Sequence, residues 1–88
     1  MSVADTLNER AKTHGNYADQ ARAAQFIKQL LRACPRWKDL SLPQMESLEL
    51  IAMKLSRIVH GNPDEPDHWR DVAGYAELIV KELDKNNG

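Results

Sequence analysis

Apolar residues recur along this chain at intervals of three and four, the spacing of one helix face, and nowhere alternate with the period of two that a half-buried strand needs. Short turn clusters separate the apolar stretches: Gly15-Asn16, Pro35-Arg36, Ser41-Leu42-Pro43 and Gly61-Asn62-Pro63-Asp64-Glu65-Pro66. Ala, Leu, Gln, Glu, Lys and Arg, which lose little side-chain freedom in a helix, fill the stretches between them. The pattern predicts an all-α fold, a compact bundle of about four helices.

The first stretch, about Val3 to Thr13, carries only Val3, Leu7 and Ala11 at four-residue spacing, a stripe too thin to hold a helix in water without a partner surface. The second, about Tyr17 to Cys34, sets Ala23, Ala24, Ile27, Leu30, Leu31 and Cys34 on one arc and ends at Pro35. The third has the clearest start: Ser41 and Gln44 have capping-box spacing, Pro43 suits a first turn, and Gly61 stops the helix after His60. Its apolar face is Leu48, Ile51, Ala52, Leu55, Ile58 and Val59. The fourth opens at Asp64 or Asp67, ends near Lys85, and aligns Trp69, Val72, Ala73, Ala76, Ile79, Val80 and Leu83. The last two helices, joined by a short turn, should lie antiparallel with the others across them. Residues 1–84 then form one domain and 85–88 a frayed tail.

Composition narrows the function. The 88 residues have room for one modest core, and 12 Lys and Arg against 13 Asp and Glu leave a net charge of −1, so a non-specific nucleic-acid-coating role is disfavoured. The lone Cys34 has no disulfide partner and reads as a small buried apolar residue; with three scattered histidines it makes no zinc-binding pattern. No apolar run reaches the roughly 20 residues of a membrane span, and the first residues lack a signal-peptide pattern. The expectation is a soluble cytoplasmic protein with no membrane partner.

On the third helix Glu46, Glu49, Met53, Arg57 and His60 share the arc opposite the core face, with Leu50 and Lys54 at its edge. On the fourth, Asp67, Asp71, Gly74, Tyr75 and Leu78 share the corresponding arc. Glu46, Glu49, Asp67 and Asp71 are material for a Mg²⁺ site, because a hard cation takes carboxylate oxygens and keeps positions open for phosphates. Acids in first helical turns equally serve the helix dipole, and the remainder can pair with Lys54, Arg57 or Arg70. Lys54, Arg57 and His60 offer an anion site near the turn, with Asp71 orienting Arg57; the plain alternative is an Arg–Asp bridge tying two helices.

Leu50, Met53 and Leu78, with Tyr75 beside them, are apolar residues on nominally wet faces. They call for cover from the first helix, from the Arg36-Trp37-Lys38 loop, or from another copy in a homo-oligomer. His14 and Tyr17 flank the Gly15-Asn16 turn; the imidazole titrates near neutrality and the phenol can stack on a base. Trp37 and Trp69 read as core or core-edge packing.

Two stretches carry a family resemblance: Glu9-Arg10-Ala11-Lys12-Thr13-His14-Gly15-Asn16-Tyr17, and Glu49 to Ile58 followed by Asp67-His68-Trp69-Arg70-Asp71-Val72-Ala73-Gly74-Tyr75-Ala76. Together they resemble a family of small helical phage and prophage proteins of unknown function. More distantly they are similar to phage domains associated with nucleotide modification, and to the all-α MazG-type nucleoside triphosphate pyrophosphohydrolases. The latter bind Mg²⁺ through Glu-x-x-Glu and Glu-x-x-Asp. Here Glu46-x-x-Glu49 matches the first element, whereas Asp67-x-x-x-Asp71 is spaced one residue wider than the second.

The resemblance implies a site drawn from His14, Tyr17, Lys54, Arg57, Asp67, Asp71 and Tyr75. It would bind a nucleotide or other phosphate ligand without turnover: Lys54 and Arg57 on phosphates, Tyr17 or Tyr75 on a base, and Asp71 fixing Arg57. In a phage protein such binding would sequester a signalling nucleotide of host defence. The alternatives are a Mg²⁺-dependent pyrophosphohydrolase-like enzyme using the four carboxylates, and a protein-interaction module that inhibits a host protein through Leu50, Met53 and Leu78.

Overall fold

The structure, a computed structural model, describes residues 2–87: helices α1 (Val3–His14), α2 (Tyr17–Ala33), α3 (Leu42–His60) and α4 (Pro66–Asn87), with a 3₁₀ turn at Trp37–Asp39 between α2 and α3. Local chemistry fixes the starts. The Ser41 hydroxyl accepts from the Gln44 amide at 3.2 Å while the Gln44 side chain accepts from the Ser41 amide at 2.9 Å, the expected capping box. A second box, Ser2 with Asp5, opens α1, and the Asn16 side chain caps α2 through the Asp19 amide at 3.2 Å. Pro66, its fixed φ suited to a first helical position, begins α4. That helix runs on to Asn87; Gly88 lies outside the described residues.

The all-α bundle is built around α3. Helix α2 runs antiparallel along one flank, where Arg32 pairs with Glu49 and Ser56 donates to the Gln20 carbonyl. Helix α4 runs antiparallel along the other: Ser41 and Pro43 lie beside Leu83 and Asn86, while Lys54 meets Asp71. Leu48 and Ile51 of α3 face Ala76 and Ile79 of α4. The face of α3 that the pattern reads as wet is half-covered by α2, which packs over Met53 and Arg57. Met53 thus lies against α2 and Leu50 is half-buried; Leu78, by contrast, stays exposed.

Burying two flanks of α3 changes which apolar residues are inside. Among the described residues the buried apolar ones are Ala24, Ala52 and Ile58, joined by Gln20, Ser47, Lys54, Ser56 and His68. The outer part of each expected core arc is open: Leu55 is 42% and Val59 75% exposed, and Trp69 is 54% exposed with its indole N–H donating to the Pro63 carbonyl at 2.7 Å. Cys34 is exposed as well, because it caps α2 instead of lying within it.

Helix α1 has no buried residue and is anchored at its C-terminal end. There its turn crosses the α3–α4 turn back to back. Gly15 adopts φ +84°, and a Cβ on it would overlap the His60 carbonyl; a Cβ on Gly61 would overlap the Thr13 carbonyl. The Thr13 carbonyl accepts from the Asn62 amide at 2.9 Å and from the His68 ring Nε2 at 3.0 Å. No helix among the described residues is long and apolar enough to cross a membrane.

Candidate functional site

The glycine crossing brings the end of α1, the start of α2, the last turns of α3 and the first turns of α4 to one place. His14, the last residue of α1, stands with its ring centroid 5.2 Å from that of His68, tilted by 49°. His68 is 2% exposed and held by its hydrogen bond to Thr13. Burial holds the His14 pKa below the usual histidine value, and the electrostatic field of Arg57, His68, Lys54 and Arg10 pushes it the same way.

Arg57 sits between α2 and α3, and its Nε is buried without a hydrogen-bond partner among the described residues. Two small cavities share this guanidinium. One of about 270 Å³ lies between α1 and the α2–α3 pair, lined by Arg10, His14, Gly15, Tyr17, Gln20 and Arg57 with Leu7 and Ala11. The other, about 160 Å³, continues between α2 and α3 past Tyr17, Gln20, Lys28 and Met53. The Tyr17 ring, 77% exposed, stands at their common mouth.

The remaining expected site residues take other roles. Asp71 does not orient Arg57; its Oδ2 accepts from Lys54 Nζ at 2.8 Å, and this hydrogen bond is the main reason its pKa lies below the usual carboxylate value. Lys54 is therefore a buried cation already paired. Tyr75, one turn beyond Asp71, is half-buried and lines neither cavity. His60 turns its Nδ1 onto the Ser56 carbonyl at 2.9 Å.

The carboxylates that a Mg²⁺ site requires are dispersed. Glu49 pairs with Arg32, Asp67 with Arg70 at 2.9 Å and Asp71 with Lys54, while Glu46 is exposed. No three His, Cys, Asp or Glu side chains among the described residues come close enough to share a metal ion. Ser56, in the penultimate turn of α3, is fully buried and donates to the Gln20 carbonyl at 2.6 Å, so it is committed to structure.

The arrangement suits an anion more than a reaction: a guanidinium with an open donor, a neutral imidazole among cations, a second arginine and an aromatic ring. Of the residues singled out in the sequence, His14, Tyr17 and Arg57 meet at this cleft; Arg10 and Gln20 join them there, and His68 lies beside His14. Arg10 and His68 both lie inside the stretches that carry the resemblance; nothing local marks Gln20, which enters through its register against α3.

A family model described as a domain of unknown function (DUF6378) matches residues 2–83, so the chain belongs to that family. No curated protein and no solved structure matches the chain.

Proposed function

We propose that this member of the DUF6378 family binds a phosphate-bearing ligand, a nucleotide in the simplest case, in the cleft between α1 and the α2–α3 pair, and does so without turnover. The observation that carries the reading is the Arg57 guanidinium: its Nε is buried and unpartnered at the junction of two cavities. An unsatisfied buried donor costs about 1–3 kcal/mol, and an anionic oxygen supplies the missing acceptor with a charge-assisted bond.

Arg10 lines the same cavity and adds positive potential, while the neutral His14 ring lines it as a hydrogen-bonding group. Tyr17 at the mouth offers a face on which a base can stack, worth about 1–3 kcal/mol in other systems. Lys54 contributes through its field while Asp71 holds it. The dispersal of Glu46, Glu49, Asp67 and Asp71 favours binding over a Mg²⁺-dependent hydrolysis. In a phage setting, holding a signalling nucleotide of host defence would be the biological use of such a cleft.

The test is a thermal-shift series of the full chain against nucleoside mono-, di- and triphosphates and cyclic dinucleotides, with and without Mg²⁺. A ligand bound only by the folded state at a hundred times its Kd adds about 2.7 kcal/mol of stability. The expected result is a rise of several degrees with one ligand class in the absence of Mg²⁺, abolished in Arg57→Ala while the unliganded Tm of that variant stays within a degree or two of the parent. No shift with any phosphate ligand, or a shift that survives Arg57→Ala, overturns the proposal.

A further inference from the structure

The α2–α3–α4 layer has two sides. Helix α1 and the cleft occupy one; the other carries the outer parts of three apolar arcs. With α2 and α4 both antiparallel to α3 on opposite flanks, helical spacing of 100° per residue aims Leu30 of α2, Leu55 and Val59 of α3, and Trp69, Val80 and Leu83 of α4 out of that same side. All six are exposed, Leu30 at 71%. Between them lie only small or uncharged residues such as Ala73 and Ala76, so the centre of the face has no like charges to repel a copy of itself. An apolar groove of about 290 Å³ between α3 and α4, bounded by Leu40, Leu48 and Ala76, opens on it.

The dimensions of the chain leave surface enough for a partner on this face. Its accessible surface is 6415 Å², about 1,200 Å² more than a compact monomer of this mass exposes. Its radius of gyration is 15.1 Å, where a chain of this length folded into a compact monomer reaches about 12 Å. The excess exceeds the roughly 800 Å² per partner that a standard stable interface removes from water. Among the described residues three apolar side chains are buried, a small core that burial of this face would enlarge.

We propose that a second copy of the chain covers it, packing layer against layer about a two-fold axis. The partner that completes a core must be present whenever the chain folds, and a second copy always is. The clefts then lie on the two outer sides of the dimer and stay open to ligand.

Sedimentation equilibrium of the full chain tests this, with Val59→Lys in the face and Val3→Lys on the outer end of α1 as the control. Val59 is 75% exposed within the single chain, so the lone chain gives a lysine there no reason to cost stability. The expected mass is about 20 kDa, twice the 10.0 kDa chain, for the parent and for Val3→Lys. Val59→Lys should sediment as a monomer or fail to fold, and the parent's Tm should fall on hundredfold dilution. A folded parent of 10.0 kDa whose Tm ignores dilution overturns the dimer and leaves a foreign protein as occupant. A Val59→Lys variant that keeps the doubled mass moves the interface elsewhere.

Discussion

Two histidines one residue-width apart show how little of a side chain's role is written in its type. His14 titrates in a half-buried site among Arg57, Lys54 and Arg10, and burial, reinforced by those charges, favours its neutral form. The unfolded chain lacks this environment and takes up a proton at the ordinary histidine pKa of 6.5. Below that pH the unfolded state therefore binds more protons at this position, and stability falls as the pH drops from about 6.5 through the depressed folded-state pKa. Urea midpoints at pH 7.5 and 5.5 measure the effect: the parent should lose stability on acidification, and His14→Gln, which removes the titrating ring, should lose less. Equal losses would mean that the ring is not held among those cations. The site residues divide on the same principle. Arg57 and His14 were legible as polar groups near a turn, but the exchange of partners that gives Asp71 to Lys54 and leaves the Arg57 Nε unpartnered among the described residues is a matter of ångströms between helices, which spacing along one helix does not encode.

At the scale of elements, helix ends followed the sequence to within a residue or two because caps are local: Ser41 and Gln44, Pro66 and the two turn glycines act on their immediate neighbours. The two glycines also act on each other across the chain. Gly15 holds a backbone conformation open essentially to glycine alone, and both Gly15 and Gly61 press on a facing carbonyl, so Gly15→Ala and Gly61→Ala should each cost about 2–4 kcal/mol in chemical denaturation. Gly74 is the contrast. It lies within α4 with no atom near the place its Cβ would take, so Gly74→Ala should add about 0.5–1 kcal/mol through helix propensity. A loss near zero at Gly15 and Gly61 would show that the two turns do not meet. Which arc of each helix turns inward was less legible. The pattern assigns one dry face per helix, yet α3 is flanked on two sides, so α2 settles over Met53 and Arg57 while Leu55 and Val59 are left outside.

For the whole molecule, the distribution of cohesion follows from α3 lying between two partners while α1 has none along most of its length. Ala52, Lys54, Ser56 and Ile58 are buried in the middle and second half of α3, whereas Val3 and Leu7 on α1 are 77% and 59% exposed. Local opening free energy tracks buried contacts, so native-state hydrogen exchange should be slowest for amides of α3 between Ala52 and Ile58 and fastest for the first two turns of α1. The end of α1 should break from the rest of that helix: the Gly15 amide bonds to Ala11 at 2.9 Å, and the Thr13 carbonyl is held by Asn62 and His68, so protection should rise toward Thr13 and Gly15. That gradient bears on the cleft, because α1 forms one of its walls through Leu7, Arg10 and His14. A ligand seated on Arg57 and Arg10 would tie the free length of α1 to α2 and α3, and exchange in its middle turns should then slow while that of α3 hardly changes. Uniform protection along α1 without ligand would mean that a surface outside this single chain already holds the helix down.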